Sequence, residues 1–168
     1  MAHTFKINSA SLKREFAVYV VIACQPKKRK IQLYVGKTGD NREGCNPMIS
    51  RCGNHFSYNK VHSQVRNKIL NHEKCEYSYV FDHFSPYSEN IKQRKIQIDQ
   101  INEMERWLRQ EIELVAGKFK NCQMENPFKG SAFVKKEERG RRAAFRTRNN
   151  ETKIREIVED VSAILAEI

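Results

Sequence analysis

The chain has 168 residues, long enough for one compact domain with a modest core. Its 31 Lys and Arg against 20 Asp and Glu leave a formal charge of +11, which favours a polyanion partner over a merely soluble basic surface, because neutralised phosphates release condensed counterions. There is no run of about 18 apolar residues to span a membrane, and residues 1–6 lack the apolar core of a signal peptide. The five cysteines are odd in number and form no CxxC pair, so a reducing cytoplasm is the expected compartment.

Residues 1–14 read as a polar lead-in. Residues 16–23 and 31–36 are rich in β-branched and aromatic residues and predict two strands. Residues 25–30, Gln-Pro-Lys-Lys-Arg-Lys, predict an exposed basic hairpin loop between them. A polar loop follows to Pro47, which suits the opening of a helix carrying Met48, Ile49, Cys52 and Phe56. Val61, Val65 and Ile69 predict a second helix over 59–72, and residues 77–81 a third strand. Ser88 is the expected N-cap of a long helix, whose stripe is Ile91, Ile98, Ile101, Met104, Leu108, Ile112 and Val115. Gly117 is its expected end. Residues 118–130 read as irregular.

Residues 131–148 hold seven Lys or Arg, interrupted by Phe133, Ala144 and Phe145. With Asn150 as expected N-cap, Ile154, Ile157, Val158, Val161, Ile164, Leu165 and Ile168 then form one amphipathic face. That helix either docks on the core or pairs with a second subunit.

Side chains alternate faces along a strand. On the first strand Phe16, Val18, Val20 and Ile22 share a face, and Tyr19 lies opposite with Ala17, Val21 and Ala23. On the second, Ile31, Leu33 and Val35 share a face, and Tyr34 lies with Gln32 and Gly36. A hairpin would bring both tyrosines to the less crowded side. Taken singly, each is an ordinary strand tyrosine; together, just before Gly36-Lys37, they mark a candidate site.

Arg51 and His55 are four apart and share a helix face. Arg holds a phosphate through two hydrogen bonds, and His relays a proton; the plain alternative is a solvated helix face. Gly53 costs about 1 kcal/mol relative to Ala in a helix, and is a place for the backbone to approach a neighbour. Cys45, Cys52, His55 and His62 fit no common zinc spacing. Glu105 falls between Ile101 and Leu108, on the apolar stripe, whereas Glu103 falls off it. A carboxylate on a buried face needs a partner. Mg²⁺ with its waters and a substrate phosphate is one; a cation such as Arg51 is the other.

In order along the chain these residues resemble the motifs of the GIY-YIG nucleases. The first motif reads Ala17-Val18-Tyr19 and the second Tyr34-Val35-Gly36. The family's Arg on the first helix corresponds to Arg51, and the His four residues later to His55. The Lys after the second motif corresponds to Lys37, and the metal-binding Glu of a later helix to Glu105. The late Asn corresponds to Asn121 or Asn126. Ala17 stands where the motif has Gly, a substitution the motif accepts, and the loop between the motifs is longer than usual. The similarity covers residues 16–126.

The resemblance implies an α+β fold: a small three-stranded, mainly antiparallel sheet flanked by helices over residues 1–130. Residues 131–168 then add the basic segment and the C-terminal helix. It also implies a metal-dependent DNA endonuclease. Glu105 would hold one Mg²⁺ or Mn²⁺, Arg51 would clamp the phosphate, and Asn121 would complete the set. Tyr19 would take a proton from the attacking water, with Tyr34 positioning it. A free tyrosine has a pKa near 10, so Lys37, Arg51 and His55 would have to favour its phenolate. Lys28 and Arg29, residues 40–47, and Arg139, Arg141 and Arg142 are the expected contacts to double-stranded DNA. A type II-like restriction enzyme acting as a homodimer is the preferred subtype, because no zinc-finger or helix-turn-helix pattern is present. Homing, phage-type and repair nucleases are the neighbouring alternatives. A non-catalytic DNA-binding module and an RNA binder that stacks bases on Tyr and Phe are the rivals from other classes.

Overall fold

The structure is a computed structural model that describes residues 2–28, 30–39, 45–60, 63–126 and 134–168. Arg29, residues 40–44, Val61, His62 and Phe133 lie outside the described residues, as does the side chain of Lys28. In chain order the elements are β1 (Glu15–Gln25), β2 (Lys30–Lys37), α1 (Met48–Phe56), α2 (Gln64–Lys68), β3 (Glu76–Pro86), α3 (Ile91–Ala116), β4 (Cys122–Met124), α4 (Lys136–Ala143) and α5 (Arg148–Glu167). The α+β class is as expected, but the sheet has four strands in the order β3-β1-β2-β4. β1 pairs antiparallel with both β2 and β3, while β4 runs parallel to β2. β4 lies in the stretch expected to be irregular. Its three residues are too few to show a period, and pairing of Cys122 to Met124 with Ile31 to Leu33 is what makes them a strand.

The two faces of the β1–β2 hairpin bury different partners. Phe16, Val18, Val20, Ile22, Leu33 and Val35 pack on α3 and α5. Tyr19, Val21, Ala23 and Tyr34 pack on Met48 of α1, Val65 of α2 and Ile69. With both faces covered, β1 is the central strand and reads as an almost unbroken apolar run. Each fully buried Ile or Leu here contributes on the order of 1.5–3 kcal/mol.

α5 docks on this core through Ile154, Ile157, Val161 and Leu165. On α3 the buried stripe is Ile101, Met104, Leu108, Ile112 and Val115, whereas Ile91 is exposed at the free first turn. Other boundaries differ from expectation. Asn90, not Ser88, caps α3, its side chain accepting from Lys92 N and Gln93 N. Thr147, not Asn150, caps α5; Asn150 is buried and donates to the Phe145 carbonyl instead. The second helix spans only Gln64–Lys68. No helix of the described residues is long and apolar enough to cross a membrane.

Candidate active site

The hairpin register sets Tyr19 opposite Gly36 and Val21 opposite Tyr34. Both tyrosines therefore rise on the face covered by α1 and α2. A methyl at Gly36 would lie within the Tyr19 phenol, so the second motif's glycine is the space into which that ring folds. Arg51 and His55 reach the same phenol from α1. Arg51 Nε donates to Tyr19 Oη at 3.1 Å, and His55 Nε2 lies 2.9 Å from Tyr19 Oη. His55 is completely buried, with Nδ1 2.9 Å from the Tyr79 hydroxyl and the Tyr34 ring edge-on at 5.7 Å.

Donor and acceptor accounting orients this chain of bonds. The Arg51 N–H can only donate, so the Tyr19 oxygen accepts there. We assign the Nδ1–H tautomer of the neutral imidazole, in which the Tyr19 O–H donates to His55 Nε2 and Nδ1–H donates to Tyr79. Tyr79 in turn bonds Cys52, whose thiol burial pushes above its ordinary pKa, the Tyr79 bond offsetting only part of the rise. Tyr79 was not among the expected site residues. Its position across β1 from Val21, in line with Tyr34, follows from pairing register and not from any local pattern.

Charge follows burial. Burial holds the Tyr19 phenol well above its ordinary pKa; Arg51 opposes this, and Tyr34 and Glu105 add to it. Burial, with Arg51 beside it, lowers His55 to about 3. At neutral pH the free protein thus holds a protonated phenol against a neutral imidazole. Both imidazole nitrogens are occupied by tyrosines, which removes His55 from any zinc set with Cys45 and Cys52.

Glu105 enters from α3. Its Oε2 accepts from Lys37 Nζ at 2.6 Å, and its side chain is 30% exposed. It is not the buried carboxylate of the helix. That is Glu103, fully buried and held by Arg106 at 2.5 and 2.9 Å and by Arg146 at 2.8 Å. The stripe calculation follows one face, but α3 is covered on a second side by the approach to α5, and Glu103 points there.

Asn121 and Asn126 separate clearly. The Asn121 carbonyl accepts from Ile31 N, at the hairpin-loop end of β2, away from Tyr34 and Lys37. The Asn126 side chain accepts from Val35 N at 2.8 Å and donates to Val35 O at 2.7 Å. It continues the β4 pairing beside Tyr34 and Gly36. Of the expected DNA contacts, Arg142 turns inward to Glu138 and Asp99, and Arg141 also reaches Asp99. They fasten α4 to α3, while Arg139 is exposed. Gly53 meets nothing within 4 Å, so it permits no close approach.

Among the described residues no three His, Cys, Asp or Glu side chains converge as a metal cage. A single exposed carboxylate oxygen still fits a hard cation that keeps its waters and shares substrate oxygens. Glu105 offers one, since Lys37 takes Oε2 and Oε1 has no hydrogen-bond partner among the described residues. Comparison with family models, curated proteins and solved structures returns no significant match.

Proposed function

We propose that this chain is a divalent-metal-dependent endonuclease acting on double-stranded DNA, of the GIY-YIG type and site-specific in the manner of a type II restriction enzyme. The observation that carries the reading is the Tyr19 phenol, hydrogen-bonded to a guanidinium on one side and a neutral imidazole on the other. A stacking platform needs its ring face exposed; this phenol presents its oxygen to a proton acceptor.

Tyr19 takes a proton from the attacking water as it passes its own to His55 Nε2. Arg51 carries a permanent charge beside the phenol oxygen and draws the phosphate. A phosphate next to Arg51 also cancels part of the repulsion that holds His55 down, so substrate raises the basicity of the acceptor. Lys37 holds the Glu105 carboxylate in position through its Oε2. Glu105 would hold Mg²⁺ or Mn²⁺, whose chemistry there is Lewis-acid stabilisation of charge on the phosphate and the departing 3′ oxygen.

One observation favours a second reading. The close Lys37–Glu105 pair is also how a DNA-binding module without catalysis would neutralise its acid. Supercoiled plasmid incubated with wild type or Glu105→Ala, in Mg²⁺ and in EDTA, separates the two. The nuclease reading expects discrete fragments from wild type in Mg²⁺ alone. Tight binding with no cleavage, unchanged by Glu105→Ala, would overturn it in favour of the module.

A further inference from the structure

Among the described residues β3 is an edge strand, paired with β1 on one side only. The direction of its backbone groups follows from β1. The Ala17 amide and carbonyl both turn to Thr38, on the β2 side. Opposite Ala17, Tyr19 and Val21, therefore, the N–H and C=O groups of His83, Phe81 and Tyr79 point away from the sheet. Those of His83 are used: its N–H donates to Asp82 Oδ1 at 2.6 Å, and its carbonyl accepts from Lys153 Nζ. Those of Tyr79 and Phe81 make no hydrogen bond among the described residues. Beside them runs an open groove of about 410 Å³. Its floor is five consecutive residues, Tyr79 to His83, so it follows the strand's edge; a groove over one face would meet alternate residues. Asn8 and Ala10 form one wall, and Asp160, Ile164 and Glu167 of α5 the other.

Open strand edges are ordinarily blunted or covered, because they template pairing with another chain. Lys153 blunts only the His83 end. Walls on both sides favour a single extended chain over the edge of a whole second sheet. The groove is also acidic on a chain of charge +11: Asp160 and Glu167 are exposed there and make no ion pair among the described residues. Residues 2–7 have the matching character. They lie outside any helix or strand and are exposed, Phe5 to 78% and Ile7 to 52%. Thr4 to Asn8 alternates polar and apolar, the period of a strand, and Lys6 supplies a positive charge. Asn8 is fixed as the cap of the turn Ser9–Leu12, its side chain accepting from Ala10 N at 2.9 Å, and none of residues 2–7 lines its own groove. We propose that residues 2–7 of a second copy lie in this groove as a fifth strand, exchanged reciprocally about a twofold axis. Phe5 and Ile7 then share the face of the Tyr79 and Phe81 rings, and Lys6 that of Asp82, Asp160 and Glu167. This pairing depends on no catalytic step.

The test is sedimentation velocity of the full chain between about 1 and 100 µM, with amide hydrogen exchange of Tyr79 and Phe81 on the same samples. Wild type is expected to be a dimer at the upper end, with both amides protected. Phe5→Asp/Ile7→Asp should weaken self-association about a hundredfold or more and return both amides to fast exchange. Its fold should be kept, since both side chains are exposed. Asp160→Lys/Glu167→Lys should weaken self-association about threefold to tenfold at low salt, and Lys6→Glu added to the same chain should restore it. A wild type that is monomeric at about 100 µM, or a dimer indifferent to Phe5→Asp/Ile7→Asp, would overturn the exchange. Protected amides in a monomer would overturn it too, in favour of each chain's residues 2–7 covering its own groove.

Discussion

Glu103 and Glu105 stand two residues apart on α3 in opposite surroundings. Glu103 is fully buried, and two arginines satisfy it, with Arg146 also lying over the Trp107 ring at 4.7 Å. That cluster is closed: its oxygens are spent on Arg106 of the same helix and on Arg146, which holds the chain before α5 against α3. Glu105 is partly exposed and holds one lysine. The lesson is that burial alone does not mark a reactive acid. A carboxylate with all its partners supplied is part of the scaffold; one with an oxygen left over beside an Arg–Tyr–His chain is available for chemistry.

The comparison breaks most visibly at Glu103. Glu103→Gln leaves Arg106 and Arg146 without a counter-charge and should cost about 3–5 kcal/mol, read from urea unfolding. Glu105→Gln should do the converse. Its partly exposed pair with Lys37 contributes less than about 1 kcal/mol to stability, so the unfolding midpoint should hardly move. Cleavage should fall by about 10²-fold or more, measured on plasmid at matched DNA occupancy. If Glu105→Gln unfolds the protein while Glu103→Gln does not, the two roles have been exchanged. Gly36→Ala sits between these extremes. It forces the Tyr19 ring aside and should cost about 1–3 kcal/mol, with cleavage lost well beyond what the melt explains.

The most gradual effect, spread over several pH units, belongs to His55. Its pKa is lowered to about 3 in the fold from an ordinary 6.5. Between those values the unfolded chain binds the extra proton, so this contribution to stability is complete above pH 6.5 and is lost as pH falls toward 3. The slope is at most about 1.4 kcal/mol per pH unit. Acid unfolding of wild type and His55→Gln, compared over that range, should show a shallower slope in the variant, since His83 and the carboxylates still titrate there.

Much of the frame was legible in the sequence. Alternation along 16–23 and 31–36 placed Tyr19 and Tyr34 on one face, and the pairing of Tyr19 with Gly36 bears that out. What escaped was set by partners distant in sequence. β4 exists through β2, Tyr79 reaches the site through strand register, and Glu103 is buried by a segment some forty residues downstream. Helix caps slipped by two or three residues because Ser88 and Asn90, or Thr147 and Asn150, are equally good caps in isolation; the backbone path chooses between them.

The most direct test is Mg²⁺-dependent cleavage of supercoiled plasmid by wild type beside Tyr19→Phe, which removes one oxygen and keeps the ring. The account predicts linear or discrete products from wild type, and from Tyr19→Phe a loss of about 10²-fold or more, with DNA binding retained and the melting point lowered only by what one lost buried hydroxyl costs, about 1–3 kcal/mol. Equal cleavage by the two proteins, or none by either under conditions where both bind, would contradict it.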